Sequence, residues 1–401
     1  MTYVANSRTF FRTLKEALVA YSFDIGGIFA GFIVASQLNV FQRSPWAIAV
    51  YPAILSARGV ISGLFSGRLG TALHIGTMHP KLFGNTKSFY KLFFAVIVIT
   101  LETSIAMSLL SAVFGSLLWG ITFANFADIL MVVVATMTLG ELTLSLFTVN
   151  VAFLTFKKGL DPDIVVYPVM STVADIAITL CYTLTLNLFF LFGLIGKCAI
   201  VFLGVLLVVL TLYILSQNIH EEEFVKTIKE SFLTLLFVVF IVNITGTALN
   251  KVSVVVENRR EIYTVYPALI DMTGDVGSVV GSTATTKLAL GLLKPSLSSI
   301  RTHLMQIFSA WGASIIIFVL LSILSLLVQG MLGFSTFLEL TTLLLITNVI
   351  AVSSIIFISY GVSILTFVRG LDPDNFVIPI ESSLADSITT IALFVALLLM
   401  G

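Results

Sequence analysis

Two stretches of this 401-residue chain carry the same polar stripe: Ser171, Asp175 and Thr179 recur at spacings of four, and Ser382, Asp386 and Thr390 repeat the series in the second half. Side chains four apart share one face of a helix. Both stripes sit in long apolar runs, where an ionisable group costs about 2.5 to 3.5 kcal/mol at mid-membrane and by default suggests function. Carboxylates, hydroxyls and backbone carbonyls are hard oxygen ligands of the kind that Mg2+ and Ca2+ prefer. One aspartate from each half balances a doubly charged cation. Because Mg2+ keeps several waters and needs only one or two carboxylates, so sparse a set suits it better than Ca2+. The plainer alternative is that Asp175 and Asp386 bond to neighbouring helices.

Asp161 precedes Asp175 by 14 residues, which puts the two about 40° apart around a helix and about 21 Å apart along it, one at a mouth and one near mid-membrane. Asp161-Pro162 and Asp372-Pro373 read as helix starts, with Asp as N-cap and Pro at the first helical position. Capping accounts for those two aspartates and leaves Asp163 and Asp374, although first-turn acids also suit the helix dipole. Pro168 and Pro379 cannot donate to the carbonyls four residues earlier, so the oxygens of Ile164 and Asn375 are expected to be freed.

Each half holds a second polar helix. In one, Asp271, Thr273, Asp275, Ser278, Ser282 and Thr283 mix with Gly274, Gly277 and Gly281; in the other, Ser56, Arg58, Ser62, Ser66 and Arg68 surround Gly59, Gly63 and Gly67. Small residues at such spacing let helices pack closely, which explains the glycines as well as an ion path does. Packing does not explain Asp271, Asp275, Arg58 or Arg68. A structural pairing of Arg58 with a buried carboxylate stays open. The isolated acids Asp24, Asp128 and Glu339 read as structural, with Glu102 and Glu141 less safely dismissed. His74, His79, His220 and His303 have no metal-ligand spacing, and Cys181 and Cys198 read as small hydrophobes rather than a disulfide framework.

The elements that must position these residues follow from composition. With 58% apolar residues, 10% charged residues and a mean hydropathy of +1.09, most of the chain needs lipid as its solvent. The balance of 21 basic against 21 acidic residues gives no electrostatic case for nucleic acid. Apolar runs fall at 18–40, 47–76, 89–118, 125–156, 162–192, 197–216, 228–250, 264–292, 302–328, 336–368 and 374–400, which predicts eleven transmembrane helices in an all-α integral membrane protein. Arg8, Arg12 and Lys15 before the first run imitate a signal peptide, but the run has no clear small-residue cleavage site and reads as an uncleaved first span. With the N-terminus cytoplasmic, thirteen Lys and Arg fall on the inner side and five on the outer, which predicts a multi-pass protein of the cell membrane with its C-terminus outside.

Tyr51-Pro52-Ala53 returns as Tyr266-Pro267-Ala268, 215 residues on, and Gly159-Leu160-Asp161-Pro162-Asp163 returns as Gly370-Leu371-Asp372-Pro373-Asp374, 211 residues on. So constant an offset marks a duplication. The predicted organisation is a five-helix repeat over 1–192, a connecting helix over 193–220 and a second five-helix repeat over 221–401. The extra helix returns the chain to the inner side. The repeats are therefore expected to run parallel, related by a pseudo-two-fold axis along the membrane normal.

These segments resemble the MgtE family of magnesium transporters, in particular its two-half members among the eukaryotic solute carriers. The resemblance is strongest at 159–179, 370–390, 51–76 and 266–291, and in the first two of these Asp-Pro-Asp is followed by Pro, then Ser or Thr, then Ala-Asp. It implies transport of Mg2+, with Mn2+ or Co2+ as further candidates. Asp175 and Asp386 would be the pore aspartates that bind the hydrated ion, and Asp161, Asp163, Asp372 and Asp374 would be acidic positions at the cytoplasmic mouth. It also implies that one chain does the work of the family's homodimer, without the cytosolic regulatory domains of bacterial members. The Gly-Asn pair of the family's second helix reads Gly274-Asp275 in one half and Gly59-Val60 in the other. A carrier of anions or organic solutes using Arg58 and Arg68 is the competing function. An intramembrane aspartyl protease is disfavoured, because its Tyr-Asp and Gly-x-Gly-Asp signatures are missing, so no enzymatic activity is expected.

Overall fold

The computed structural model describes residues 2–122, 125–158, 162–369 and 374–400, and among them every regular element is a helix. In chain order these are α1 (Thr2–Tyr21), α2 (Gly27–Ser36), α3 (Leu38–Phe41), α4 (Pro45–Ala49), α5 (Tyr51–Ile75), α6 (Lys87–Leu118), α7 (Phe126–Lys157), α8 (Pro162–Leu191), α9 (Gly193–Asn218), α10 (Glu222–Val256), α11 (Arg260–Ala289), α12 (Ile300–Val328), α13 (Phe334–Val368) and α14 (Asp374–Met400). Side chains are described throughout except at 2–9, 162–169, 171, 374–383 and scattered positions in α5, α10 and α11.

Helix occupies each of the eleven predicted apolar runs. Among the described residues eight stretches are long and apolar enough to cross a bilayer: Phe10–Ser36, Lys87–Leu118, Phe126–Lys157, Thr172–Leu191, Gly193–Asn218, Leu235–Val256, Leu297–Val328 and Phe334–Val368. The polar helices α5 and α11 fall outside that group, as does α14, whose described apolar part is Leu384–Met400. The first run departs from the single uninterrupted span expected of it. α1 stops at Tyr21, a 3-10 turn covers Phe23–Gly26, and α2 restarts at Gly27. The local sequence explains the break, since Ser22 and Asp24 compete for backbone hydrogen bonds and Gly26 and Gly27 weaken a helix.

The chain divides into two compact units, Met1–Ser36 with Lys251–Gly401, and Gln37–Asn250. The N-terminal helices thus cluster with the C-terminal ones, while most of α10 clusters with the helices that precede it.

In the first unit α11 packs against α2, α12, α13 and α14. Glycines set its contact with α2. A methyl carbon added to Gly31 would fall 2.1 Å from the Thr264 carbonyl oxygen, and one added to Gly27 would fall 2.8 Å from the Ala268 amide nitrogen. The two backbones therefore touch, as small residues permit in membranes.

In the second unit α8 packs against α5, α7 and α9, and α6 against α7. Gly246 of α10 lies so near Ala49 that a methyl carbon there would sit 1.9 Å from the Ala49 carbonyl oxygen. Ser111 donates to Asn243 Oδ1 at 2.8 Å and the Trp119 indole donates to Thr247 Oγ1 at 2.9 Å, tying the end of α6 to α10.

Gly31→Leu should lower the thermal stability of the purified protein by about 1 to 3 kcal/mol or more, the usual cost of overpacking. Gly361→Ala, where an added methyl carbon meets nothing within 4 Å, should be neutral or stabilising. A Gly31→Leu protein as stable as the parent would contradict the backbone contact between α2 and α11.

Candidate functional site

The same hydrogen bond orients the polar stripe in each repeat. The Tyr51 hydroxyl of α5 lies 2.9 Å from Thr179 Oγ1 of α8, and the Tyr266 hydroxyl of α11 lies 2.8 Å from Thr390 Oγ1 of α14. Each threonine stands one turn beyond its aspartate, so the tyrosine turns the aspartate's face of the helix toward the repeat's own second polar helix. Asp175 is 2% exposed and Asp386 is 8% exposed, and neither faces lipid. In the second unit an aromatic block backs this arrangement. Tyr182 stacks on Tyr51 at 6.1 Å and donates its hydroxyl to the Ala47 carbonyl, with Phe41 edge-on to both rings.

The partners of the two aspartates differ. Asp175 forms a buried ion pair with Arg58 of α5. Glu141 of α7, 3% exposed, lies near enough to Arg58 to feel its charge, and its Oε1 has no hydrogen-bond partner among the described residues. The second unit thus encloses an arginine between two carboxylates.

The position 215 residues beyond Arg58 is Thr273, whose hydroxyl donates to the Leu269 carbonyl of its own helix at 2.9 Å. Where α5 has Val60, α11 has Asp275. A methyl carbon on Gly274 would sit 3.6 Å from Ala385 Cβ, so α11 and α14 touch there. Asp275 and Asp386, each the next residue along, stand at the same level of the two helices. Asp275 is also hydrogen-bonded to the side chain of Asp24, in the break between α1 and α2. Asp271, partly buried, lies one turn before Asp275 on α11.

Among the predicted ligands, then, the structure places Asp275, Asp271 and Asp386 in the first unit and Asp175 in the second. Asp161 and Asp372 lie outside the described residues, as do the side chains of Asp163, Asp374, Ser171 and Ser382 and the predicted proline kinks at Pro168 and Pro379. Among the described residues no group of three or more His, Cys, Asp or Glu is arranged to hold a metal ion.

Two of these neighbours carry little signal in the sequence. Asp24 is an isolated acid near a glycine pair, and it falls in the 3-10 turn between α1 and α2. Glu141 is isolated in its apolar run, and sequence cannot show that α7 carries it near Arg58.

Two cations that line a cavity in the second unit already have partners. A cavity of about 380 Å3 in the second unit is lined by Arg68, Lys91, Thr77, Ser88 and Thr227 among others. Arg68 donates to Thr227, and Lys91 forms a 2.7 Å pair with Glu221. That pair holds the exposed Glu221 carboxyl below the usual carboxylate range.

The sequence model of a family described as a divalent cation transporter, MgtE, matches the chain twice, over residues 51–185 and 266–396. Each match runs from the Tyr-Pro helix to the helix that carries the stripe. Neither a curated protein nor a solved structure matches the chain.

Breaking a buried ion pair from one side leaves a charge without compensation, whereas replacing both partners with apolar groups is often close to neutral, so Arg58→Leu should lower stability by about 3 to 5 kcal/mol. Adding Asp175→Leu should restore most of the loss. Thermal unfolding of the purified variants checks this. An Arg58→Leu protein as stable as the parent would contradict the pairing.

Proposed function

The chain belongs to the MgtE family of divalent cation transporters, and from that premise we propose that it carries Mg2+ across the membrane along a route lined by the paired aspartates Asp175 and Asp386. It is an all-α integral membrane protein with an internal repeat. The observation that carries the reading is the duplicated tyrosine–threonine bond, which turns both aspartates away from lipid. Mn2+ and Co2+, which also accept oxygen ligands and water, are further candidate cargo.

The two aspartates contribute unequally. Asp175 is neutralised by Arg58, so the chain itself supplies the cation there. Asp386 stands level with Asp275, and these two carboxylates match a doubly charged ion that keeps part of its water shell. Asp271 sits on the approach to them. Asp161, Asp163, Asp372 and Asp374 gather cations at the cytoplasmic mouth, and Ser171 and Ser382 add hydroxyl oxygens to the stripe.

We place the repeats at 1–192 and 221–401 with the connecting helix at 193–220, the N-terminus in the cytoplasm and the C-terminus outside. A single chain then does the work of two subunits. The competing reading, an anion or organic-solute carrier, needs Arg58 and Arg68 as binding groups, and both are occupied, by Asp175 and Thr227.

Uptake of Mg2+ into proteoliposomes tests the proposal. Asp386→Ala should cut the initial rate by at least about tenfold, since losing a charged ligand costs more than the ~1.4 kcal/mol that a factor of ten represents. Mg2+ should raise the melting temperature of the parent protein where sulfate does not. Full uptake by both Asp386→Ala and Asp175→Ala would end the reading, and stabilisation by sulfate alone would favour the anion carrier.

A further inference from the structure

The break in the first membrane span lies outside both family-matched regions, yet it carries a carboxylate to the side chain of Asp275. Asp24 is 8% exposed and sits in the 3-10 turn that separates α1 from α2. Two buried carboxyl groups hydrogen-bonded to one another share a proton, and a divalent cation can take that proton's place and leave both ionised. A third group points to the cation. Tyr21, the last residue of α1, is 0% exposed, and its hydroxyl has no hydrogen-bond partner among the described residues. It stands close enough to Asp24 and Asp275 to feel the charge of both. Leaving a buried hydroxyl unmatched is costly, so a fully enclosed one beside two carboxylates marks a place where another group completes the set.

From this geometry we propose that Asp24, Asp275 and the Tyr21 hydroxyl form a second divalent-cation site within the first unit, in addition to the position at Asp386. Asp24 supplies a carboxylate of its own, Asp275 is shared with the position at Asp386, and a neutral hydroxyl oxygen is an acceptable further ligand for a hard cation. The tight packing of Gly27 and Gly31 against α11 fixes α2, so the turn that carries Asp24 is held against α11 at a set level. The proposal takes the type of ion from the transport reading, but its residues and its test are independent of whether transport occurs.

The test is Mn2+ binding to the full-length protein in lipid nanodiscs, followed by the loss of the free-Mn2+ electron paramagnetic resonance signal. Loss even of outer-shell partners weakens metal sites about 10-fold to 100-fold, so Asp24→Asn should weaken one class of bound Mn2+ by at least about tenfold, and Asp275→Asn should weaken both that class and the one at Asp386. Tyr21→Phe, which removes only the hydroxyl and keeps the packing, should weaken the same class measurably. Asp386→Asn should leave that class in place. Mn2+ binding unchanged in both Tyr21→Phe and Asp24→Asn would overturn the proposal, and so would loss of every bound Mn2+ in Asp386→Asn. Failure of the transport reading would appear instead as absent uptake by a protein that still binds Mn2+ at Tyr21.

Discussion

A carboxylate placed inside a bilayer must be neutralised, by a proton or by a positive charge, and the buried aspartates of this protein suggest two ways of supplying the charge. The first is built into the chain. Arg58, on the helix facing the stripe, closes on Asp175 and stays with it. The second is to keep carboxylates together and let an ion provide the charge, as proposed for Asp386, Asp275 and Asp24. Burial makes the difference matter, because an unmatched charge is far more costly in low dielectric than at a surface.

Duplication explains how one chain holds both solutions. The tyrosine–threonine bonds are the same in the two repeats, so the scaffold that presents each aspartate was copied intact. The facing helix then diverged at two neighbouring positions, Arg58 against Thr273 and Val60 against Asp275. These two differences turn a symmetric pair into one centre that holds an arginine and one that holds an additional aspartate. In a homodimer both halves must carry the same residues. A fused pair is free to specialise, and under the proposed function one half keeps the ion while the other stabilises its own aspartate internally.

Much of this was legible in the sequence. The polar stripes, the repeat offset and the helical runs all follow from period and composition, because burial in lipid leaves few choices of backbone structure. Arg58 could be suspected of pairing with a carboxylate, but which one could not be read, since Asp175 lies 117 positions away. The break at Phe23–Gly26 was present as Asp24 beside two glycines and was passed over, because hydropathy averages across so short an interruption. The clustering of α1 and α2 with the C-terminal helices was beyond sequence reading, since it rests on backbone contacts at Gly27 and Gly31 that leave no periodic signal.

Anomalous scattering from crystals grown with Mn2+ tests the unequal division of charge most directly. The strongest peak is expected beside Asp386 and Asp275, with Arg58 still closed on Asp175 and no peak between them. A Mn2+ ion seated on Asp175 with Arg58 swung away, and none near Asp386, would contradict it.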